Sequence, residues 1–414
     1  MVRRRHVYHV AGYDPIDAGA QYRRFTRQLE VFRRTWNVDA TLSELEQAAT
    51  EPRAFWRVKA HAADWQVEAC HEVLMWDDIV RGDFKRALPA RLLDAARVYL
   101  DYIATGTMFR YIAANPRYAI FFLFPILALA LFAAAGWVAA RLLTGWIGLE
   151  GAAAAVVGLL AGAAIFYALV QWPGRRWRVE QLLDDWICAH DYLHGRRPDI
   201  DARLDRFAET VLARLRAPAL DEIVLVGHSL GAMLVLDILV RALARDPQLG
   251  RRGTAICVLT VGATIPKFAL HPGAEEMRRK VARIAAERSI AWAEYQARDD
   301  TISFYKFDPV ALRRIPGDRL DGKPVIRRVQ IHDMLLPETF ARCRRNVLRL
   351  HYRSVMANDR RAAYDYFMMV CGPVPFSAWT TSPAGFVDFI GPDGGYHAPS
   401  ACRTASAQVS QASP

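Results

Sequence analysis

The chain has 414 residues, a formal net charge of +11 and 53% hydrophobic residues, which suits one large α/β domain with an insertion and excludes a disordered or low-complexity chain. The charge is carried almost wholly by arginine; it favours an anionic surface such as a phospholipid leaflet, and with no nucleic-acid-binding motif beside it, nucleic acid is not expected as a partner. The six cysteines show no paired C-x-x-C spacing, which argues against a zinc knuckle or a disulfide framework and fits a reducing compartment.

The opening Met1-Val2-Arg3-Arg4-Arg5-His6 is basic but runs into alternating Val7 and His9 rather than an apolar core, so no cleaved signal is expected. A strand over residues 6–10, a turn at Gly12-Tyr13-Asp14-Pro15 and an amphipathic helix through Tyr22, Phe25, Leu29 and Phe32 form a first strand–loop–helix unit. A second strand is predicted around residues 66–76, with helical pattern after Asp77 and Asp78.

Residues 118–140 and 151–174 carry no charged side chain. Each run is long enough to cross a hydrocarbon layer of roughly 30 Å, and two transmembrane helices are predicted. Arg110 and Arg117 precede the first, Arg175, Arg176 and Arg178 follow the second, and only Arg141 and Glu150 lie in the turn between. By the positive-inside rule both flanks face the cytoplasm, with Trp137, Trp146 and Trp172 near the interfaces.

Beyond the hairpin, Val179, Leu182, Leu183, Trp186 and Leu193 recur at helical spacing, and the pattern resumes over residues 204–215. Strands follow at residues 222–226, 255–261, 290–297 and 325–331. Such alternation indicates a mostly parallel sheet with helices on both faces. Residues 1–117 and 175–398 are then the two parts of one α/β domain, residues 118–174 a membrane hairpin inserted in it, and residues 399–414, rich in Ser, Ala and Gln, a disordered tail. His190 and His194, one helical turn apart after Cys188, have a spacing that could share a metal. The glutamate of HExxH is absent, however, so they are assigned to a polar helix face and no metal or cofactor is expected.

The strongest local signal is Gly227-His228-Ser229-Leu230-Gly231, placed directly after the apolar Ile223-Val224-Leu225-Val226 and opening the helix of Ala232-Met233-Leu234-Val235-Leu236. A serine on a sharp strand-to-helix turn needs neighbours without side chains, and this is the setting of a nucleophile elbow. The Leu230 amide, at the helix amino end, would point at a developing oxyanion.

On these residues the chain resembles the α/β-hydrolase superfamily, in its lipase and esterase branch, where GHSLG is a common form of the elbow; the resemblance covers most of the soluble sequence. It implies a triad in the order Ser, acid, His. The acid falls after the second strand beyond the elbow, where Asp300, with Ile302 and Ser303 following, matches better than Asp299. Three histidines follow: His332 close behind the last strand, His351, and His397 near the tail. His351 is chosen because residues 348–353, leading to Tyr364-Asp365-Tyr366-Phe367, resemble the C-terminal pattern of uncharacterised bacterial membrane-embedded hydrolase-like proteins, although the superfamily norm favours His332. The same proteins resemble this chain at Gly12-Tyr13-Asp14-Pro15, which implies that the Tyr13 amide is the second oxyanion donor. It also implies that the first strand stands for the third of the full superfamily sheet, the two leading antiparallel strands being absent, and that the hairpin interrupts a helical crossover.

The function so implied is that of a serine hydrolase with two transmembrane helices, its domain on the cytoplasmic face of a bacterial inner membrane. It would cleave lipid or other acyl esters through an acyl-enzyme formed by Ser229, Asp300 and His351, with an ester or lipid substrate and membrane phospholipids as partners. The competing expectation is a catalytically inactive hydrolase fold that serves as a membrane-bound scaffold or lipid-binding module.

Overall fold

A computed structural model describes residues 1–217 and 220–397; the expected tail, residues 399–414, lies outside the described residues. The sheet grows from its centre. Strand β1 (Arg4–Val10) is buried from Arg5 onward, as a strand covered on both faces must be. Four more strands follow before the hairpin: β2 (Asp39–Leu42), β3 (Glu46–Gln47), β4 (Arg53–His61) and β5 (Gln66–Leu74). Among the described residues, four strands of the same sheet come after it, β6 (Glu222–His228), β7 (Ala255–Val261), β8 (Ile290–Ala297) and β9 (Val325–Val329), besides a separate pair of two-residue strands, Phe307–Asp308 with Arg313–Arg314.

The spatial order is β9-β8-β7-β6-β1-β5-β4-β2, with β3 paired to β4. From β9 to β5 all neighbours are parallel, whereas β4 and β2 run antiparallel at one edge. The expectation of a sheet trimmed at this edge is therefore corrected: no described strand precedes β1, but β4 and β2, which arrive after it in the chain, fill the edge. Along β4 the buried Ala54, Trp56, Val58 and Ala60 alternate with more exposed residues, the period-two signature of a half-covered strand.

Successive residues of β1 feed opposite cores. Val7 packs with Phe25, Leu29 and Phe32 of the helix Ala18–Trp36, while Tyr8 packs with the helices Pro198–Arg216 and Gly231–Arg245 on the other face. None of the five described cysteines is in a disulfide.

Two helices are long and apolar enough to cross a membrane: Pro116–Trp146 and Gly151–Gly174, the latter closing in a π turn over Val170–Gly174 that contains Pro173. At 31 residues, the first is about 46 Å long, more than a hydrocarbon layer requires. Its base is used otherwise: Tyr118, Ala119 and Phe122 are buried in an aromatic cluster with Tyr99, Tyr102, Tyr111 and Trp186. Its far part exposes Leu131, Trp137 and Leu142. Arg141, expected in the turn, belongs to this helix.

The two helices touch at glycine. A Cβ on Gly136 would lie 2.8 Å from the carbonyl oxygen of Gly162, the close backbone approach that small residues allow between membrane helices. Gly136→Leu is expected to destabilise the hairpin by about 1–3 kcal/mol through overpacking, read as a lower melting temperature in detergent micelles; unchanged melting would mean that the close approach contributes nothing.

Candidate active site

Ser229 joins β6 to the helix Gly231–Arg245 at φ 57°. A non-glycine residue in the left-handed region costs roughly 1–3 kcal/mol and persists only where its surroundings enforce it. Here glycines enforce it. A Cβ on Gly227 would lie 2.5 Å from Ala232 Cα, and one on Gly231 would lie 2.3 Å from the Val10 oxygen at the end of β1. From the loop after β1, a Cβ on Gly12 would lie 2.7 Å from Ser229 Cβ and 3.2 Å from its Oγ. The turn is tied down by the Ser229 amide, which donates to Val261 O at 3.1 Å, and by the amides of Ala232 and Thr264, which donate to Ser229 O at 3.1 and 3.3 Å.

Leu230 caps the helix Gly231–Arg245, so its amide stands at the helix's positive end. Tyr13 directly follows Gly12, whose Cα rests against the serine. The Tyr13 ring lies edge-on to Trp76 and Phe84, and its hydroxyl donates to Asp83 Oδ2 at 2.9 Å. Burial, with the nearby Cys188 and Asp83, raises the pKa of that hydroxyl, so the side chain anchors the loop as a neutral phenol.

His351 ends the short helix Val347–His351, and its Nδ1 lies 2.7 Å from Asp300 Oδ2, both side chains being buried. With a carboxylate on Nδ1 the ring's proton belongs there, which leaves Nε2 as a base. That Nε2 is buried and has no hydrogen-bond partner among the described residues. The ring lies over Gly262, where a Cβ would be 2.9 Å from His351 Cε1 and 3.4 Å from His228 Cδ2. Gly262 immediately follows Val261, the acceptor of the Ser229 amide, so imidazole and serine border the same turn.

Burial alone would raise the Asp300 carboxyl. The charge of His351, its hydrogen bond and the Ile302 amide, which donates to Oδ1 at 2.9 Å, outweigh that and hold it below its ordinary value. His228 is pushed well below the usual imidazole range, first by burial and then by the neighbouring His351. It is neutral at pH 7 and donates from Nε2 to the His351 carbonyl oxygen at 3.2 Å.

The alternatives lie apart from this pair. Asp299 accepts the Ile331 amide at 2.8 Å and is 3.7 Å from His332 Nδ1. The His332 side chain is 45% exposed, and the exposed His397 side chain lies 3.9 Å from Asp393. The residues that sequence reasoning passed over are Gly262, which lies against His351, and Arg24; Gly12 was named only as part of its turn, not as a residue packed on Ser229. The Arg24 guanidinium lies 5.1 Å over the Tyr352 ring, itself 5.1 Å from the His228 ring. A single arginine on an amphipathic helix carries no signal that separates it from a solvated one.

No protein-family model matches the chain, and no curated protein or solved structure matches it either.

Proposed function

We propose that the chain is a membrane-anchored serine hydrolase that cleaves carboxylic esters, lipid or acyl esters foremost. The observation that carries the reading is the buried His351–Asp300 pair of 2.7 Å, bordering a turn in which Ser229 is held at φ 57°. The sheet supports it: the serine follows central strand β6 and the acid follows β8, two strands further along, which is the superfamily's arrangement of nucleophile and acid.

In this reading His351 Nε2 takes the Ser229 hydroxyl proton while Oγ attacks the ester carbonyl carbon, and the amides of Leu230 and Tyr13 receive the oxyanion. Collapse breaks the bond to the leaving alkoxide, which takes the proton from His351. Water, deprotonated by the same nitrogen, then cleaves the acyl-enzyme and restores the serine. The hairpin supports a membrane location, since helices that expose Leu131, Trp137, Leu142, Leu159 and Leu160 suit hydrocarbon better than water. The arginines at its base favour the cytoplasmic side of a bacterial inner membrane.

The test is labelling of the detergent-solubilised protein with a fluorophosphonate probe. Wild type and His332→Ala are expected to label, Ser229→Ala not at all, and His351→Ala at a rate about 10⁴-fold lower. A folded wild type that does not label would favour the scaffold reading.

A further inference from the structure

Three histidines and an aspartate converge where the helix that leads toward the hairpin meets the helix that leaves it. Asp101 lies on Leu88–Ala104, His190 on Val179–Leu193, His194 caps that second helix, and His271 follows Ile265–Ala269. Nε2 of His190 is 2.9 Å and Nε2 of His271 is 2.8 Å from the same oxygen, Asp101 Oδ2. The His194 ring lies 4.4 Å from that of His190 and 5.3 Å from that of His271, and one ligand atom from each of the four residues lies within 4.8 Å of all the others.

We propose that Asp101, His190, His194 and His271 bind one divalent transition-metal ion, with Zn²⁺ as the preferred occupant. Three neutral imidazoles and a carboxylate suit zinc, and four protein ligands fill its tetrahedral shell, which makes the site structural rather than catalytic. With metal–ligand bonds of about 2.0–2.1 Å, ligand atoms stand about 3.3 Å apart; the widest pair has to close by about 1.5 Å, within the reach of side-chain rotation. His194 is already set for the role. Its Nδ1 donates to the His190 carbonyl oxygen at 2.8 Å, fixing the tautomer that leaves Nε2 as a lone pair, as the outer hydrogen bonds of metal-bound histidines do.

The other two rings have to change tautomer. Without metal, Arg196 donates to Nδ1 of His190 at 2.9 Å and the Gly273 amide to Nδ1 of His271 at 3.0 Å, so each ring's proton is on Nε2 and shared with Asp101. Binding moves these protons to Nδ1. For His190 the Asp191 carboxylate, 3.8 Å away, is at hand to accept. Binding gives up four hydrogen bonds, the two to Asp101 and the two accepted at Nδ1, a loss that four metal–ligand bonds outweigh. His190 and His271 are buried, whereas His194 is exposed and Asp101 partly so, which leaves a way in from solvent. An ion here would clamp the two helices that flank the hairpin to the segment after β7, and it is independent of the ester chemistry.

The test uses full-length, tag-free protein in detergent, stripped with a chelator and titrated with Co²⁺ and then Zn²⁺. The expected result is one Co²⁺ per chain with the strong visible absorption of a tetrahedral site, its displacement by Zn²⁺, and a higher melting temperature with Zn²⁺. Exposed His194→Ala and Asp101→Asn should weaken Co²⁺ binding at least about 10²-fold while the metal-free variants stay folded. Neither absorption nor a zinc-dependent melting shift, or wild type and His194→Ala responding alike, would overturn the site and leave a hydrogen-bonded His–Asp cluster only.

Discussion

If the chain is the serine hydrolase proposed above, Asp300→Asn is expected to lower kcat about 10⁴-fold with KM little changed and the protein still folded. The carboxylate is acceptor-only and keeps the proton of His351 on Nδ1, 2.7 Å away. An asparagine can turn its NH₂ toward the ring, which then carries its proton on Nε2 and cannot accept one from Ser229. Asp299→Asn is the control. Its amide oxygen can still accept from the Ile331 amide, and activity should stay within about threefold. The pH profile adds a second constraint. Burial would raise the Asp300 carboxyl, yet His351 and the Ile302 amide hold it below the ordinary carboxylate value. Its contribution to stability is therefore present above the unfolded pKa of about 3.9 and is lost only as pH falls through the still lower folded value. A fall in activity between about pH 7 and 5 accordingly cannot come from Asp300. Hydrolysis of p-nitrophenyl butyrate across pH checks both points, and an Asp300→Asn enzyme within threefold of wild type would remove this residue from the triad.

The parts of this architecture that were legible in the sequence are those coded locally. Residues 255–261 and 290–297 read as strands and form β7 and β8 with the same bounds, because each is a short, mostly apolar stretch rich in β-branched or aromatic residues between helical segments. The serine turn was legible because the strand and helix on either side of it are coded locally and Gly227 answers to Ala232 and Val235 close by, although Gly231 answers to Val10 and Ala11 at the end of distant β1. What escaped depends on distant partners. The four residues of β2 show no convincing alternation until β4 covers them. Helix Pro116–Trp146 was legible as a helix long and apolar enough to cross a membrane, but its base is sheathed by Tyr99, Tyr102 and Trp186, which no hydropathy pattern reveals. Three histidines follow the acid, and nothing in their neighbours ranks them by geometry; His351 meets Asp300 across 51 residues only once the chain has folded. The His190–His194 pair lacked partners in sequence for the same reason, since Asp101 reaches His190 from 89 residues away.

Arg5→Met is expected to destabilise the domain by about 3–5 kcal/mol, the penalty for breaking a buried ion pair by removing one partner. Arg5 lies on β1 directly across from Glu222 on β6, its Nε 3.3 Å from Glu222 Oε2 and its side chain wholly buried. The guanidinium also donates to Met369 O, Gly372 O and Val374 O at 2.6, 2.7 and 2.9 Å, and Glu222 Oε1 accepts the Phe376 amide at 3.1 Å. One arginine thus satisfies several carbonyls of a C-terminal segment, and methionine would leave those oxygens without their donor and the buried Glu222 carboxylate without its countercharge, held by the Phe376 amide alone among the described residues. Because Gly12 lies just beyond the end of β1 and Ser229 directly follows β6, the same loss should loosen the strand pair that aligns the two. Probe labelling should therefore fade before global unfolding as temperature rises. The double variant Arg5→Met/Glu222→Leu, which removes the stranded charge, should recover part of the stability, whereas a single Arg5→Met that melts with wild type would show that the C-terminal segment is held by its apolar contacts alone.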